Sequence, residues 1–321
     1  MDELPIFDVD NLESIDVFQL VKCLEDTSCL LIKASSIFDN HANLQFIDMM
    51  ERYFNQSNDI KVKDIRTQSN YQVGYTPEFL ENSRCIGDSA CQQIISQQSH
   101  DNKAHQPIDK DPKCRFMWAI GSRPLHSAYT DLNASPVVPE SFQHEWPTTM
   151  DTVGNSLLSA IHVLTKLIEQ GLSLPTGQLS SQLKDGAHLL APTGIIHHFY
   201  YYTSMYRISR SHLSVLDLYI GTNLSKYHTE ETIFAGFHYD ISFLTIHGRS
   251  KYPGLYIWLK SGRKVPVRVP EGCLFVQVYE YMNIFSFSIC LTSVIVYVIV
   301  YHMALTRVLQ SHTINRVYIY R

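Results

Sequence analysis

The pattern of apolar and polar residues divides the chain into a helical front and a strand-rich back. Apolar side chains at 17, 20, 21 and 24, and again at 44, 46, 47, 49 and 50, predict helices over 14–24 and 40–54. Short apolar runs at 5–9 and 28–34 predict strands beside them. The clearest helix spans 150–171, apolar at 150, 153, 157, 158, 161, 164, 167 and 168, with Gly171 as a natural stop. From Thr232 onward the runs shorten to 232–237, 241–247, 254–259, 265–269 and 273–278, separated by Gly, Pro, Ser or charged turns. Such spacing is that of an antiparallel barrel or jelly roll. Residues 56–147 are polar and turn-rich, and the Gln, Ser and Asn of 88–109 read as a mobile loop.

Two stretches break the pattern. Residues 195–222 are crowded with aromatics and lack a period, and residues 284–301 run without a formal charge for 18 positions, the lower limit for a membrane-spanning helix.

Composition narrows the class. With 321 residues, 45% hydrophobic and 18% charged, the chain supplies one large domain or two modest ones. A formal charge of -5 and the lack of a clustered basic surface argue against a nucleic-acid partner. The longest basic cluster, Lys260-Ser-Gly-Arg-Lys264, reads as a hairpin turn. Seven dispersed cysteines without a Cys-x-x-Cys pair point to reduced thiols. The acidic start, Met1-Asp-Glu-Leu-Pro-Ile-Phe-Asp8, lacks the basic and apolar regions of a signal peptide, and a cytoplasmic location is expected.

Candidate chemistry resides in Phe237-His-Tyr-Asp240. On a strand, His238 and Asp240 share one face. Two imidazoles and one carboxylate on one octahedral face bind iron(II) and leave positions open for substrate, cosubstrate and O₂. The tripeptide alone carries little weight in a chain with 15 histidines.

Its surroundings carry more. Phe237 to Ser250, then Pro253-Gly-Leu-Tyr-Ile-Trp258, then Val265 to Val278 with its Pro-Glu-Gly turn, resemble the second half of the isopenicillin N synthase-like iron(II)/2-oxoglutarate-dependent dioxygenases. The front of the chain resembles the same family in Leu4-Pro-Ile-Phe-Asp8, Cys29-Leu-Leu-Ile-Lys33, Tyr71 to Glu78, Asp111 to Trp118, Leu132 to Pro136 and His188 to Gly194.

The resemblance implies an α+β fold: a double-stranded β-helix (jelly-roll) core, an N-terminal helix and strand region, and a long supporting helix. It divides the chain into a dioxygenase-type region at 1–140, a catalytic core at 141–278 with an insertion at 195–222, and a hydrophobic tail outside the family pattern at 279–321. It also implies Fe(2+) held by His238 and Asp240, 2-oxoglutarate and O₂ as cosubstrates, and a small organic molecule as substrate.

The resemblance breaks where a distal histidine and an Arg-x-Ser are expected. Residues 288–298 contain no histidine, and the later His302 and His312 are followed by no Arg-x-Ser. They remain the candidates for a third ligand, and the C-terminal part of the barrel is expected to be incomplete. Tyr, Phe, Ile and Asn are encoded by A/T-rich codons, so both aberrant segments read as retained intron. The expectation is an oxygenase impaired in this chain. The alternative is an inactive or small-molecule-binding member, anchored in a membrane through residues 284–305 if the tail is taken at face value.

Remaining residues receive structural readings. Tyr239 and Phe243 are expected in the core or lining a pocket, Trp118 and Trp258 in the core, His247 on the strand face opposite His238, and Arg249 and Lys251 in a solvated turn.

Overall fold

A computed structural model describes residues 4–83, 85–104, 110–123, 134–184, 186, 188–194, 235–238, 244–250, 255–278 and 297–298. The insertion at 195–222, Tyr239, Phe243, Lys251 and, apart from 297–298, the tail lie outside these residues.

The front half alternates strand and helix as its pattern predicts. Strand β1 (Ile6–Asp8) leads to α1 (Val17–Thr27), β2 (Cys29–Lys33) and α2 (Asn40–Phe54). Helix α1 starts three residues later than its apolar spacing implies, because the Asp16 carboxylate caps the backbone N–H groups of Phe18 and Gln19. It ends where Ser28 turns left-handed at φ 60°. Asp39 caps α2 through His41 N and Ala42 N. Of the apolar positions predicted to face inward on α2, Phe46, Ile47, Met49 and Met50 are buried, whereas Leu44 is exposed.

The next stretch holds more structure than its polarity implies. After the short helix α3 (Asn58–Lys61) and strand β3 (Gly74–Thr76), helix α4 (Ser89–Gln97) lies inside the segment read as a mobile loop. Asp88 caps α4 through Ala90 N and Cys91 N, and Cys91 and Ile95, four residues apart, form its buried stripe. Cys85, ahead of α4, and Cys91, within it, are bonded through their sulfurs, correcting the expectation of reduced thiols throughout. Gly87, at φ +89°, and the cap at Asp88 reverse the chain so that the two Cα atoms lie 5.3 Å apart.

Strand β4 (Cys114–Ile120) is followed by α5 (Trp146–Gly171). All eight apolar positions that predict α5 are buried, and the helix begins four residues earlier than that stripe, at Trp146, with Pro147 in its first turn. Tyr53, Phe116, Phe142 and Trp146 form an aromatic cluster with ring centroids 4.6–6.0 Å apart, joining α2, β4 and α5.

The remaining strands are β5 (His188–Leu190), β6 (Thr193–Gly194), β7 (Leu244–His247), β8 (Tyr256–Trp258), β9 (Lys264–Pro266), β10 (Cys273–Val278) and β11 (Tyr297–Val298). The large sheet runs β1-β2-β10-β7-β11-β5-β4-β3, with β6 also paired to β4. Strand β10 is antiparallel to both β2 and β7, with Leu274 opposite Ile32 and Val276 opposite Ile246. Strand β11, the described part of the tail, lies parallel to both β5 and β7.

Strands β8 and β9 form a separate antiparallel hairpin. Its turn is the Lys260–Lys264 segment, with Gly262 at φ +79°.

Both faces of the large sheet are covered, as strict alternation along β2 and β10 shows. Leu30, Ile32, Leu274, Val276 and Val278 enter the core shared with the helices. Cys29, Leu31 and Phe275 pack on the other side with Ile257, Val265 and Val267 of the hairpin region. Two-sided burial explains why β10 reads as an apolar run interrupted only by Gln277.

Candidate metal centre

Residues Ala235 to His238 form a bent segment, where 235–237 are the described part of the strand expected over 232–237, and independent contacts hold it from two sides. Gly236 N donates to the Asp111 carboxylate at 3.0 Å. Phe237 is fully buried, its ring edge-on to Trp258 at 6.1 Å, in a small core with Cys85, Cys91, Ile95 and Ala104. The chain therefore arrives at His238 from an anchored position.

His238 is half-buried, and its Nδ1 lies 2.8 Å from Gly236 O. A carbonyl oxygen only accepts, so Nδ1 carries a proton and Nε2 is the nitrogen placed to meet a metal. A histidine that ligates a metal is held in this way, its second nitrogen donating to a carbonyl that fixes tautomer and ring orientation. His238 therefore fits a metal-ligand role.

A charge cluster lies behind this segment, with Asp111 and Lys113 buried and Glu81 and Arg115 half-buried. Lys113 Nζ contacts Asp111 Oδ2 at 2.7 Å and Glu81 Oε2 at 3.0 Å, and Arg115 Nη2 reaches Glu81 Oε2 at 3.2 Å. Two cations thus face two carboxylates. Burial pushes the Glu81 pKa up, but Arg115 and then Lys113 outweigh it, with a smaller contribution from His238, and hold the carboxyl below its ordinary value of 4.5. Backbone bonds from Phe79 N to Asp111 O and from Asp111 N to Glu81 O clamp the two chain segments together.

The sequence assigns no role to these four charged residues. Asp111, Lys113 and Arg115 do carry a signal, a charged residue at every second position, which places them on one side of an extended chain. Glu81 carries none, because only tertiary folding brings it there.

The other predicted site residues fare differently. Asp240, His302 and His312 lie outside the described residues, and among the described residues no three His, Cys, Asp or Glu side chains come together as a metal site. His247 is buried and donates from Nε2 to Gln277 Oε1 at 3.1 Å, matching its structural reading. Arg249 is exposed and pairs with Glu271 at 3.4 Å, in keeping with a solvated turn. Trp118 and Trp258 are buried as expected, Trp118 donating to Asp151 at 2.8 Å. No helix among the described residues is long and apolar enough to cross a membrane.

Comparison with known proteins gives a likeness in structure alone. No family model and no curated sequence matches the chain. A protein from Caulobacter crescentus described as of the 2OG-Fe(II) oxygenase family aligns with a TM-score of 0.57 at 15% identity, over 88% of this chain and 76% of its own. A full-length protein from Neurospora crassa, solved in complex with alpha-KG and thymine, aligns with a TM-score of 0.58 at 13% identity, over 88% and 76%. JOX2, in complex with 2OG, Fe and JA, aligns with a TM-score of 0.54 at 11% identity, over 88% and 66%. The chain accordingly has the fold of the 2OG-Fe(II) oxygenases.

Proposed function

We propose that the chain is a non-heme iron(II), 2-oxoglutarate-dependent oxygenase acting on a small organic molecule. The observation that carries this reading is His238, whose Nδ1 donates to Gly236 O in the way a metal-ligating histidine is held, in a fold shared with a protein solved with 2OG and Fe. Asp240 supplies the second ligand, and His302 and His312 are the candidates for the third. Iron, when bound, supplies the O₂ chemistry that couples decarboxylation of 2-oxoglutarate to oxidation of the substrate. The protein's own part is to hold His238 through the Gly236 and Asp111 contacts and to exclude water with the apolar core around Phe237.

Residues 195–222 and 279–321 are read as retained intron, which impairs activity in this chain. An enzyme of this kind is placed in the cytoplasm. A second reading, a non-catalytic or small-molecule-binding member, is favoured by the sequence itself, which has no histidine at 288–298 and no Arg-x-Ser after His302 or His312. If the tail at 284–305 is an anchor, this member is membrane-bound, and fractionation with and without residues 279–321 decides that point.

Anaerobic iron(II) titration in the presence of 2-oxoglutarate tests the main reading. His238→Ala and Asp240→Ala are each expected to weaken iron binding by about 10-fold or more. Binding unchanged in both variants overturns the assignment.

A further inference from the structure

Cys85 and Cys91 occupy an unusual place: both are buried, both belong to the small core around Phe237, and both face the carbonyl of the residue that precedes His238. Cys85 Sγ lies 3.0 Å from Phe237 O, and Cys91 Sγ lies 3.9 Å from the same atom. The sulfurs are also bonded to each other across a Cα separation of 5.3 Å, well inside the range that a disulfide spans. The backbone placement therefore serves two covalent states, the sulfurs separating by side-chain rotation when the bond is reduced. As thiols, either sulfur can donate a proton to Phe237 O. As a disulfide, neither can.

The loop that brings them together is built locally. Gly87 supplies the left-handed turn, Asp88 caps α4 through Cys91 N, and Gln92 Nε2 donates to Cys85 O at 3.1 Å. Each of these bonds involves main chain or side chains other than the sulfurs, so the pair stays in register whichever state it occupies. Ile86 and Gly87 are exposed, which leaves the turn open to a small oxidant.

We propose that Cys85 and Cys91 form a reversible dithiol/disulfide site that sets how firmly the 236–238 segment is held. The oxidant is a peroxide. One thiolate attacks a peroxide oxygen to give a sulfenic acid and water, and the second thiol displaces its hydroxyl to give the disulfide and a second water. Two thiols and one hydrogen peroxide thus become one disulfide and two waters. A dithiol reductant reverses the reaction by exchange.

Oxidation removes a sulfur-borne donor from Phe237 O and loosens the backbone whose Gly236 carbonyl orients His238. Reduction restores it. The consequence for metal affinity rests on the proposed role of His238; the change in backbone protection does not.

The full chain, free of added metal, is compared after peroxide and after reductant. Peptide mapping is expected to find the 85–91 disulfide in the first and free thiols in the second. Hydrogen exchange, quenched under reducing conditions so that both forms yield the same peptides, is expected to be at least about threefold faster at 236–238 in the oxidised form. The Cys91→Ser chain is expected to show no response to peroxide.

Failure of the 85–91 bond to form, or exchange at 236–238 that is equal in both forms, overturns the proposal. Cobalt(II) titration, followed by visible absorption, separates the two readings. Weaker cobalt binding in the oxidised form supports both. An exchange response with cobalt bound by neither form upholds the switch and removes the metal centre.

Discussion

Asp111 gives one carboxylate oxygen to the buried Lys113 ammonium and the other to Gly236 N, so a single side chain couples the charge cluster to the histidine segment. Asp111→Ala leaves Lys113 buried with Glu81 as its remaining carboxylate partner and is expected to cost about 3 kcal/mol in urea unfolding. The same change removes the acceptor for Gly236 N and is expected to weaken metal binding as well. Glu81 adds a pH dependence. Its pKa is lower in the folded chain than its ordinary 4.5, so below that value the unfolded chain binds more protons, and stability falls with pH through the folded pKa. The contribution is fully present above about pH 5. Thermal melts from about pH 6 to 3 should therefore show a steeper acid loss for the wild-type chain than for Glu81→Gln. At this scale the sequence displays the paired spacing of His238 and Asp240 and the every-second-residue charges from Asp111 to Arg115. It does not display Glu81, Cys85 or Cys91, whose importance arises from neighbours distant along the chain.

Helix α5 shows how an element can be predicted correctly for a partly different reason. Its apolar stripe is buried at every predicted position, because a 3.6-residue period on a helix of this length leaves few alternatives. Gly171 reads as a stop, and the helix does end there, yet Gly171 is not among the residues with positive φ. A Cβ at this position would stand 2.3 Å from Val17 O and 2.6 Å from Val21 Cγ2, so glycine is required by the close approach of α1. Gly171→Ala is expected to destabilise the fold by about 1–3 kcal/mol, measured by chemical unfolding, because the nearest obstacle is backbone. An unchanged midpoint would mean that α1 and α5 can separate without cost. Helix α4 is the opposite case: its composition resembles a loop, and its two-residue stripe is too short for periodicity to register, although Asp88 marks its start.

At the scale of the whole molecule, β11 lies between β5 and β7 and joins the two parts of the large sheet among the described residues. Its pairing is parallel on both sides and short, with Tyr297 opposite Leu189 and Thr245. Removing residues 279–321 would open the edges of two otherwise buried strands. The shortened chain is expected to have a lower urea midpoint and a greater tendency to aggregate, measured by unfolding and light scattering. Equal behaviour would show that the tail contributes nothing to closing the sheet.

Local pattern by itself determined α1, α2 and α5, strands β1, β2 and β10, the Lys260–Lys264 hairpin turn and the place of the His-x-Asp motif, because each depends on residues near one another in sequence. Tertiary structure alone decided which strands are neighbours, that the Asp111 cluster stands behind His238, and that Cys85 and Cys91 meet at the carbonyl of Phe237. The last two arrangements depend on loop closure between segments more than 100 residues apart, for which neither hydrophobic period nor turn chemistry carries a signal.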